Sequence, residues 1–379
     1  MLDVGSDFDL ADDRVWLNAA HQGPLPRAAA QAVAEMVRWK LRPHHLQAHD
    51  AFTGLPEDLR KSLAGLVDVE KSQVVLANSA SYSLHLLANG LDLDEADEVV
   101  IAANDFPSDI LPWVHRRRRS GITIRSIEPA GEVPSADEVA SVVTDRTRVV
   151  CLSWVHSFSG QLLDLEAVGQ ICRGADALFV LNGSQGVGAI PIAMSDLPLD
   201  ALISVGFKWL CGPYGTGFAC LGPRALEQIR PTKLYWLNTL STEDLEGTNL
   251  DVDHVTADPP GCFDIFGTAN FFNFAGLLAS VDLIRRVGVE HIHEHNLALA
   301  SQLTEQLNRD RYEVMRRGPS DRLSSILFVR PTTEPLQTVA SRLADARIDV
   351  AVRAGMLRLS PHFYNTPRDV DRTLEALEA

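Results

Sequence analysis

The sequence predicts an α/β protein: a large unit built on a mostly parallel, seven-stranded sheet, followed by a smaller α+β unit. Three observations lead there. From about residue 74, short β-branched runs alternate with helical stretches, the pattern of strands joined by crossover helices. Those runs are apolar throughout, as strands covered on both faces are. After about Leu221 the texture changes to a polar, acidic, turn-rich stretch and then to a second set of elements.

Taken in order, residues 1–25, which hold most of WLNAAHQGPLP, read as an arm crossing towards an active site. Residues 26–270 read as the large domain. Its strands are VVLA (74–77), VVIAA (99–103), ITIRSI (122–127), VVCLSW (149–154), ALFVL (177–181), ALISV (201–205) and GFACL (217–221). Helical segments such as SLHLLANGL and LEAVGQICRGA lie between them. GTGFACL follows ALISV too closely for a crossover helix, so the last strand should run antiparallel. Residues 238–262 read as a long ordered active-site loop. A helix from about Asn270 to Arg286 opens the small domain, 271–379, with strands in SSILFVR and MLRLSP and helices near 335–346 and 367–378.

Composition narrows the partners. The 379 residues carry 34 basic and 50 acidic side chains, a net charge of −16. That argues against nucleic acid or an anionic membrane surface. The one basic block, Arg116–Arg119, reads as a solvated helix end. Five cysteines without CxxC spacing suggest free thiols in a reducing cytoplasm. The acidic N-terminus lacks a signal-like apolar core, and no stretch is apolar for long enough to span a membrane. In EHIHEHN (290–296), His291 and His295 share a helix face. No third ligand is identifiable, so a solvated face is expected and no metal.

Two stretches carry chemistry. In SVGFKWLCGPYGTGF (204–218), Lys208 follows a strand and precedes a glycine-rich turn. A lysine at a buried strand end is costly unless its amine is neutralised or bonded. A Schiff base with an aldehyde cofactor does both and leaves the lysine as a proton shuttle. Taken alone, an exposed loop lysine is the simpler reading. VVLANSASYSLHLL (74–87) reads as strand, turn and helix, with Ser79 and Ser81 near the helix start. Free N–H groups and the helix dipole there favour a phosphate, while serine capping uses the same geometry. A third stretch, VLNGSQGVGAIP (180–191), reads either as an Asn-Gly hairpin turn or as a strand ending on a ligand.

Together these motifs resemble the class V aminotransferase family, pyridoxal-phosphate enzymes of fold type I. The likeness covers nearly the whole chain in the expected order. WLNAAHQGPLP resembles the N-terminal arm, NSASYS the phosphate turn and DFPSDILPW the segment that lays a ring over the cofactor. SWVHSFSGQLLDL resembles a strand-to-turn segment, and NGSQGVGAIP an element normally written with aspartate first. GFKWLCGPYGTGF resembles the lysine loop and MLRLSPHFYNT the C-terminal arginine strand. Within the family, DFPSD and SFSGQ are most similar to kynureninase and isopenicillin N epimerase-like enzymes; cysteine desulfurases usually stack a histidine instead.

The resemblance implies roles. Lys208 would hold pyridoxal 5'-phosphate and move the α-proton of a small amino-acid substrate. Phe106 would stack on the ring. Ser79, Ala80 and Ser81 would bind the phosphate, Asp109 and Ser153 would line the cofactor, and Gln185 would bond its phenolic oxygen. Trp236 and Thr268 resemble positions that reach a phosphate. Arg358 would clamp the substrate carboxylate, which guanidinium geometry suits. A homodimer with its active site at the interface is implied, leaving open which subunit supplies those phosphate contacts.

Three departures qualify the expectation. Phe207 stands where relatives carry histidine or tyrosine, which removes a polar contact to phosphate. RAGMLRLS runs straight through, without the loop and cysteine that desulfurases place before the arginine strand. Asn182 replaces the aspartate that pairs with the ring nitrogen, so the pyridinium loses its counter-charge unless a nearby group compensates. A lyase (C–S or another elimination) or an epimerase in specialised metabolism is therefore expected over a transaminase. A class V aminotransferase, or a retired member that binds cofactor without turnover, is the alternative.

Overall fold

The computed structural model describes every residue except 1, 3, 11–12, 46–49, 237–257, 268–269 and 316–321. Thr268 and most of the 238–262 stretch therefore lie outside the described residues.

The seven apolar runs form one sheet: β2 (Val74–Ala77), β3 (Glu98–Ala102), β4 (Thr123–Ile127), β5 (Thr147–Ser153), β6 (Leu178–Asn182), β7 (Ala201–Val205) and β8 (Gly217–Leu221). Their spatial order is β2-β8-β7-β6-β5-β3-β4. Neighbours from β7 to β4 pair in parallel, and β8 runs antiparallel to both β7 and β2. Only 11 residues separate the ends of β7 and β8, as residue numbers 205 and 217 show, and they coil into a loop rather than a helix. Every residue of β2, β3, β6, β7 and β8 is buried, so apolar residues occupy both strand faces.

One face packs on α3 (Ala80–Gly90) and α4 (Pro107–Ser120), through Leu84, Leu87 and Trp113. The other meets α2 (Leu55–Val67), α6 (Leu165–Gly174) and α8 (Phe271–Val287), through Leu59, Leu63, Val168, Leu277 and Val281. The helix α8, at the head of the segment read as the small domain, thus packs into the core of the large sheet and against α1 (Arg27–Leu41).

A four-stranded antiparallel sheet of order β12-β13-β10-β9 follows, built from β9 (Tyr312–Met315), β10 (Leu327–Pro331), β12 (Ala351–Arg353) and β13 (Met356–Leu359). The helices α9 (Val289–Gln306), α10 (Leu336–Asp345) and α11 (Pro367–Glu378) cover it. Near the N-terminus β1 (Val15–Trp16) pairs in parallel with β11 (Ile348–Asp349), tying the start of the chain to this sheet. Strands β1, β9, β11 and β12 have no counterpart in the sequence reading. They are two to four residues long and partly exposed, so no apolar run marks them.

Two further readings are corrected. His295 is buried, and its Nε2 lies 2.9 Å from the Asn365 carbonyl oxygen, so that part of the helix face is packed and not solvated. Arg116 folds back to donate to the carbonyls of Leu91 and Leu93, and Arg119 Nη1 donates to Asn89 Oδ1 at 3.1 Å, so the block is partly tied to the helix α3 side and not wholly a solvated end. No described helix is long and apolar enough to cross a membrane.

Candidate active site

In a parallel sheet, ligands sit beyond the carboxyl ends of the strands. Here those ends converge on a cavity of about 450 Å³. Ser153 closes β5 and Asn182 closes β6, and the register sets them side by side. Lys208 stands just past β7, in the lining of the same cavity. The antiparallel β8 starts there, and its Gly217 has backbone atoms of Ser79 about 3.0 Å from where a Cβ would be. Only glycine lets the turn after β2 come that close.

Ten residues singled out in the sequence line this cavity: Ser79, Ala80, Ser81, Phe106, Ser153, Asn182, Gln185, Phe207, Lys208 and Arg358. Ser79 caps α3, its hydroxyl accepting the Tyr82 N–H at 3.1 Å, so the capping reading holds for that oxygen. The amides of Ala80 and Ser81 fall in the first helical turn, which has no intrahelical acceptors. Phe106 is exposed above the cavity, its ring centroid 5.6 Å from Lys208 Nζ. Burial and the nearby Arg358 guanidinium push the Lys208 ammonium down to about 8, with Asp109 opposing. About a tenth is therefore free amine at pH 7, far more than an ordinary lysine offers.

Gln185 is held at both ends. Its Nε2 donates to the Ala20 carbonyl at 3.1 Å and its Oε1 accepts from Trp209 Nε1 at 2.9 Å. One amide hydrogen is left over. The first contact fixes the N-terminal stretch at the cavity wall, where Ala20 and His21 line it. Gly23 presses on the lysine loop: Lys208 O is 2.3 Å from where a Cβ would sit, and Gly23 N donates to Phe207 O at 2.9 Å.

Asn182 is fully engaged. Its Nδ2 lies 2.8 Å and 3.0 Å from the two Asp109 carboxyl oxygens, and its Oδ1 accepts the Ser184 N–H at 3.0 Å. Ser153 Oγ donates to the same carboxyl at 3.3 Å. Asp109 does not line the cavity; it stands behind Asn182, in the first turn of α4. Burial pushes its carboxyl well above the ordinary range and Asp105 adds to that, while Asn182, Ser153 and Lys208 favour the charged form. The missing charge at position 182 thus has a carboxyl one amide away.

Trp236 lies outside the cavity, about half exposed, with Tyr235 against its ring edge. The sequence reading missed His21, Ser184, Tyr214 and Arg353, which also line the cavity. Among the described residues, two buried polar atoms at the wall have no partner: Ser184 Oγ and Arg358 Nε. A buried guanidinium without a partner calls for an anion. A lysine with a lowered pKa, an exposed ring, a helix N-terminus and a guanidinium on one cavity fit an aldehyde cofactor with a phosphate and a carboxylate substrate.

Comparison with known proteins agrees. The family profile Aminotransferase class-V matches residues 23–373. A probable cysteine desulfurase of Methanothermobacter thermautotrophicus is 25% identical, across 99% of this chain and 97% of that one. Isopenicillin N epimerase of Streptomyces clavuligerus is 26% identical, across 96% and 94%. In fold, the chain is similar to an apo cysteine desulfurase of Thermococcus onnurineus (TM-score 0.88, 22% identity, 99% and 96% covered). It is also similar to the cystine C–S lyase C-DES bound to cysteine persulfide (TM-score 0.87, 22% identity, 97% of each covered). The chain belongs to the class V aminotransferase family and is a pyridoxal-phosphate enzyme of fold type I.

Proposed function

We propose that this enzyme labilises a bond at the α-carbon of a small amino acid, as a lyase or an epimerase rather than a transaminase. The carrying observation is Lys208, its amine lowered to about 8, in one cavity with the unpartnered Arg358 guanidinium. Pyridoxal phosphate, when bound, supplies the electron sink that makes the α-proton acidic. The protein does the rest. Arg358 takes the α-carboxylate and orients the α-carbon. Lys208 Nζ removes the α-proton. In elimination the leaving group departs from Cβ with its bonding electrons; in epimerisation a proton returns to the opposite face.

The two relatives above, one a probable desulfurase and one an epimerase, support this class of reaction. A sulfur relay on the protein is not part of the reading. All five cysteines are buried and none lines the cavity. Epimerisation has its own observation in His21, a second base at the cavity. Burial pushes its imidazolium pKa down, assisted by Arg353, Arg358 and Lys208, so it is neutral at neutral pH.

Ser79, Ala80 and Ser81 hold the phosphate in this reading, Phe106 covers the ring and Gln185 donates its remaining N–H to the phenolic oxygen. Trp236 and Thr268 reach a partner's phosphate in a homodimer. Leu234, Trp236 and Phe266 are exposed, and Tyr235 stacks near Phe266, which supports an interface on that side. The location proposed is the cytoplasm.

The test is to add amino acids to the purified holoenzyme in deuterated water. Solvent deuterium at the α-carbon of recovered amino acid, together with either keto acid and ammonia or the opposite enantiomer, is the expected result. Stoichiometric conversion of the cofactor to its amine form, with no ammonia and no inversion, would replace this reading by transamination.

A further inference from the structure

The cavity holds more positive charge than that reaction uses. Lys208, Arg353 and Arg358 line it, and among the described residues no aspartate or glutamate does. This is notable in a chain of net charge −16. Lys208 is taken by the cofactor and Arg358 by the α-carboxylate, which leaves Arg353.

The two arginines come from one hairpin. In the β12–β13 pair, Arg358 lies opposite Ala351 and Arg353 opposite Met356. Directly opposed residues share a face, and so do residues two apart on a strand. Arg353 and Arg358 are therefore diagonal neighbours on the same face, with backbones roughly 7–8 Å apart. The turn between them is Ala354-Gly355, with φ of 49° and 72°, the left-handed pair that a tight two-residue hairpin uses. This short turn fixes both side chains relative to each other.

Neither arginine is neutralised. Among the described residues Arg353 makes one bond, Nη1 to the Val352 carbonyl at 2.9 Å, and neither guanidinium has an ion-pair partner. Arg353 raises the cost of the buried charge beside it: Arg358 is pushed down to about 10 by burial and by Arg353. Arg358 is buried and Arg353, beside it on the same face, is exposed and solvated at the cavity, so a ligand with two anionic groups would compensate the buried charge and pair with the exposed one.

We infer that the substrate is an amino acid whose side chain ends in a second anion, a carboxylate or sulfinate, with Arg358 on the α-carboxylate and Arg353 on the distal group. This rests on the reading that the enzyme acts on amino acids. It adds a substrate class and a specificity residue.

The experiment titrates the holoenzyme with L-aspartate, L-glutamate and L-cysteine sulfinate, and with L-asparagine, L-glutamine and L-alanine. Binding is followed by the cofactor's absorbance. Acidic ligands are expected to bind about tenfold tighter than their neutral counterparts, as one charge-assisted pair allows. In Arg353→Gln that ratio should fall to about one, and Arg353→Lys should restore part of it. Tighter binding of the neutral ligands, or a preference that survives Arg353→Gln, would overturn the assignment. Loss of cofactor from Arg353→Gln would also overturn it, by placing this arginine on the phosphate. A response to neither set would instead overturn the amino-acid reading beneath it, and this inference with it.

Discussion

The Asn182 amide nitrogen sits 2.8 Å and 3.0 Å from the two carboxyl oxygens of Asp109, at the boundary between the cavity and the interior of the large sheet. Asn182 faces the cavity and Asp109 is sealed behind it. An amide held this way polarises: a carboxyl that accepts at its nitrogen, most strongly in its ionised form, makes its oxygen a better acceptor. The pair can therefore present negative potential to a ring nitrogen although residue 182 is neutral.

This reverses one expectation. From sequence alone, Asn182→Asp restores a missing charge. In the structure it sets two carboxyls against each other in a buried site, where one must take up a proton. We expect Asn182→Asp to weaken cofactor retention and to cost about 1–3 kcal/mol of stability. Asp109→Asn should also weaken retention, through loss of the carboxyl behind Asn182. The double exchange, Asn182→Asp with Asp109→Asn, should recover much of both. Cofactor dissociation and thermal melts measure this, and a double variant no better than either single one would refute the pairing.

Lys208 gives a pH dependence. With its pKa lowered to about 8 from 10.5, the free amine increases with pH and levels off above about 8. The rate at which apoprotein captures pyridoxal phosphate should follow that curve, about a tenth of maximal at pH 7. The stability sign agrees: between 8 and 10.5 the unfolded chain binds the extra proton, so apoprotein stability contributed by this group rises with pH. A capture midpoint near 10.5, read by stopped-flow absorbance, would contradict the burial argument. Lys208→Ala should abolish the lysine-bound absorption band.

Arg358 trades stability for binding. It is 4% exposed with no counter-ion among the described residues. Arg358→Met should raise apoprotein stability by about 1 kcal/mol or more, since an uncompensated buried charge is removed. The same change should lower kcat/KM by roughly a hundredfold or more, through loss of the carboxylate clamp. Differential scanning calorimetry and steady-state kinetics check the two halves separately.

His21 separates the two reactions. If a proton returns from the face opposite Lys208, His21→Gln should suppress formation of the opposite enantiomer about a hundredfold while leaving α-proton exchange measurable. Equal loss of both, by deuterium exchange and chiral chromatography, would remove His21 from that role.

The thiols make a negative prediction. Burial raises Cys211 and Cys220 well above the usual thiol range, and no cysteine reaches the cavity. After incubation with cysteine or cystine, intact-mass measurement should show no added sulfur on the chain. A sulfur adduct would restore the relay reading.

The seven apolar runs and their order were legible in the sequence because strands covered on both faces must be apolar throughout. The antiparallel β8 was legible because a short connection leaves room for nothing else. Lys208, Phe106, Arg358 and the serine turn were legible as motifs. The small sheet was only half legible: MLRLSP and SSILFVR contain strands, while β9 and β12 are too short and exposed to leave a pattern. The arm that carries His21 was legible but not which of its side chains reaches the cavity, and nothing in the neighbours of Arg353 marks it as facing the site.

By itself, then, the sequence determined the layer architecture and the set of reactive side chains, since periodicity and residue chemistry are local properties. Only the tertiary structure decided where the charges lie. Asp109 and Asn182 are 73 residues apart, and they meet because β5 and β6 are adjacent and α4 enters over their ends. Arg353 joins Arg358 because a two-residue turn folds one strand back on another. Electrostatics depends on distance in space and on exclusion of water, and neither is written along the chain.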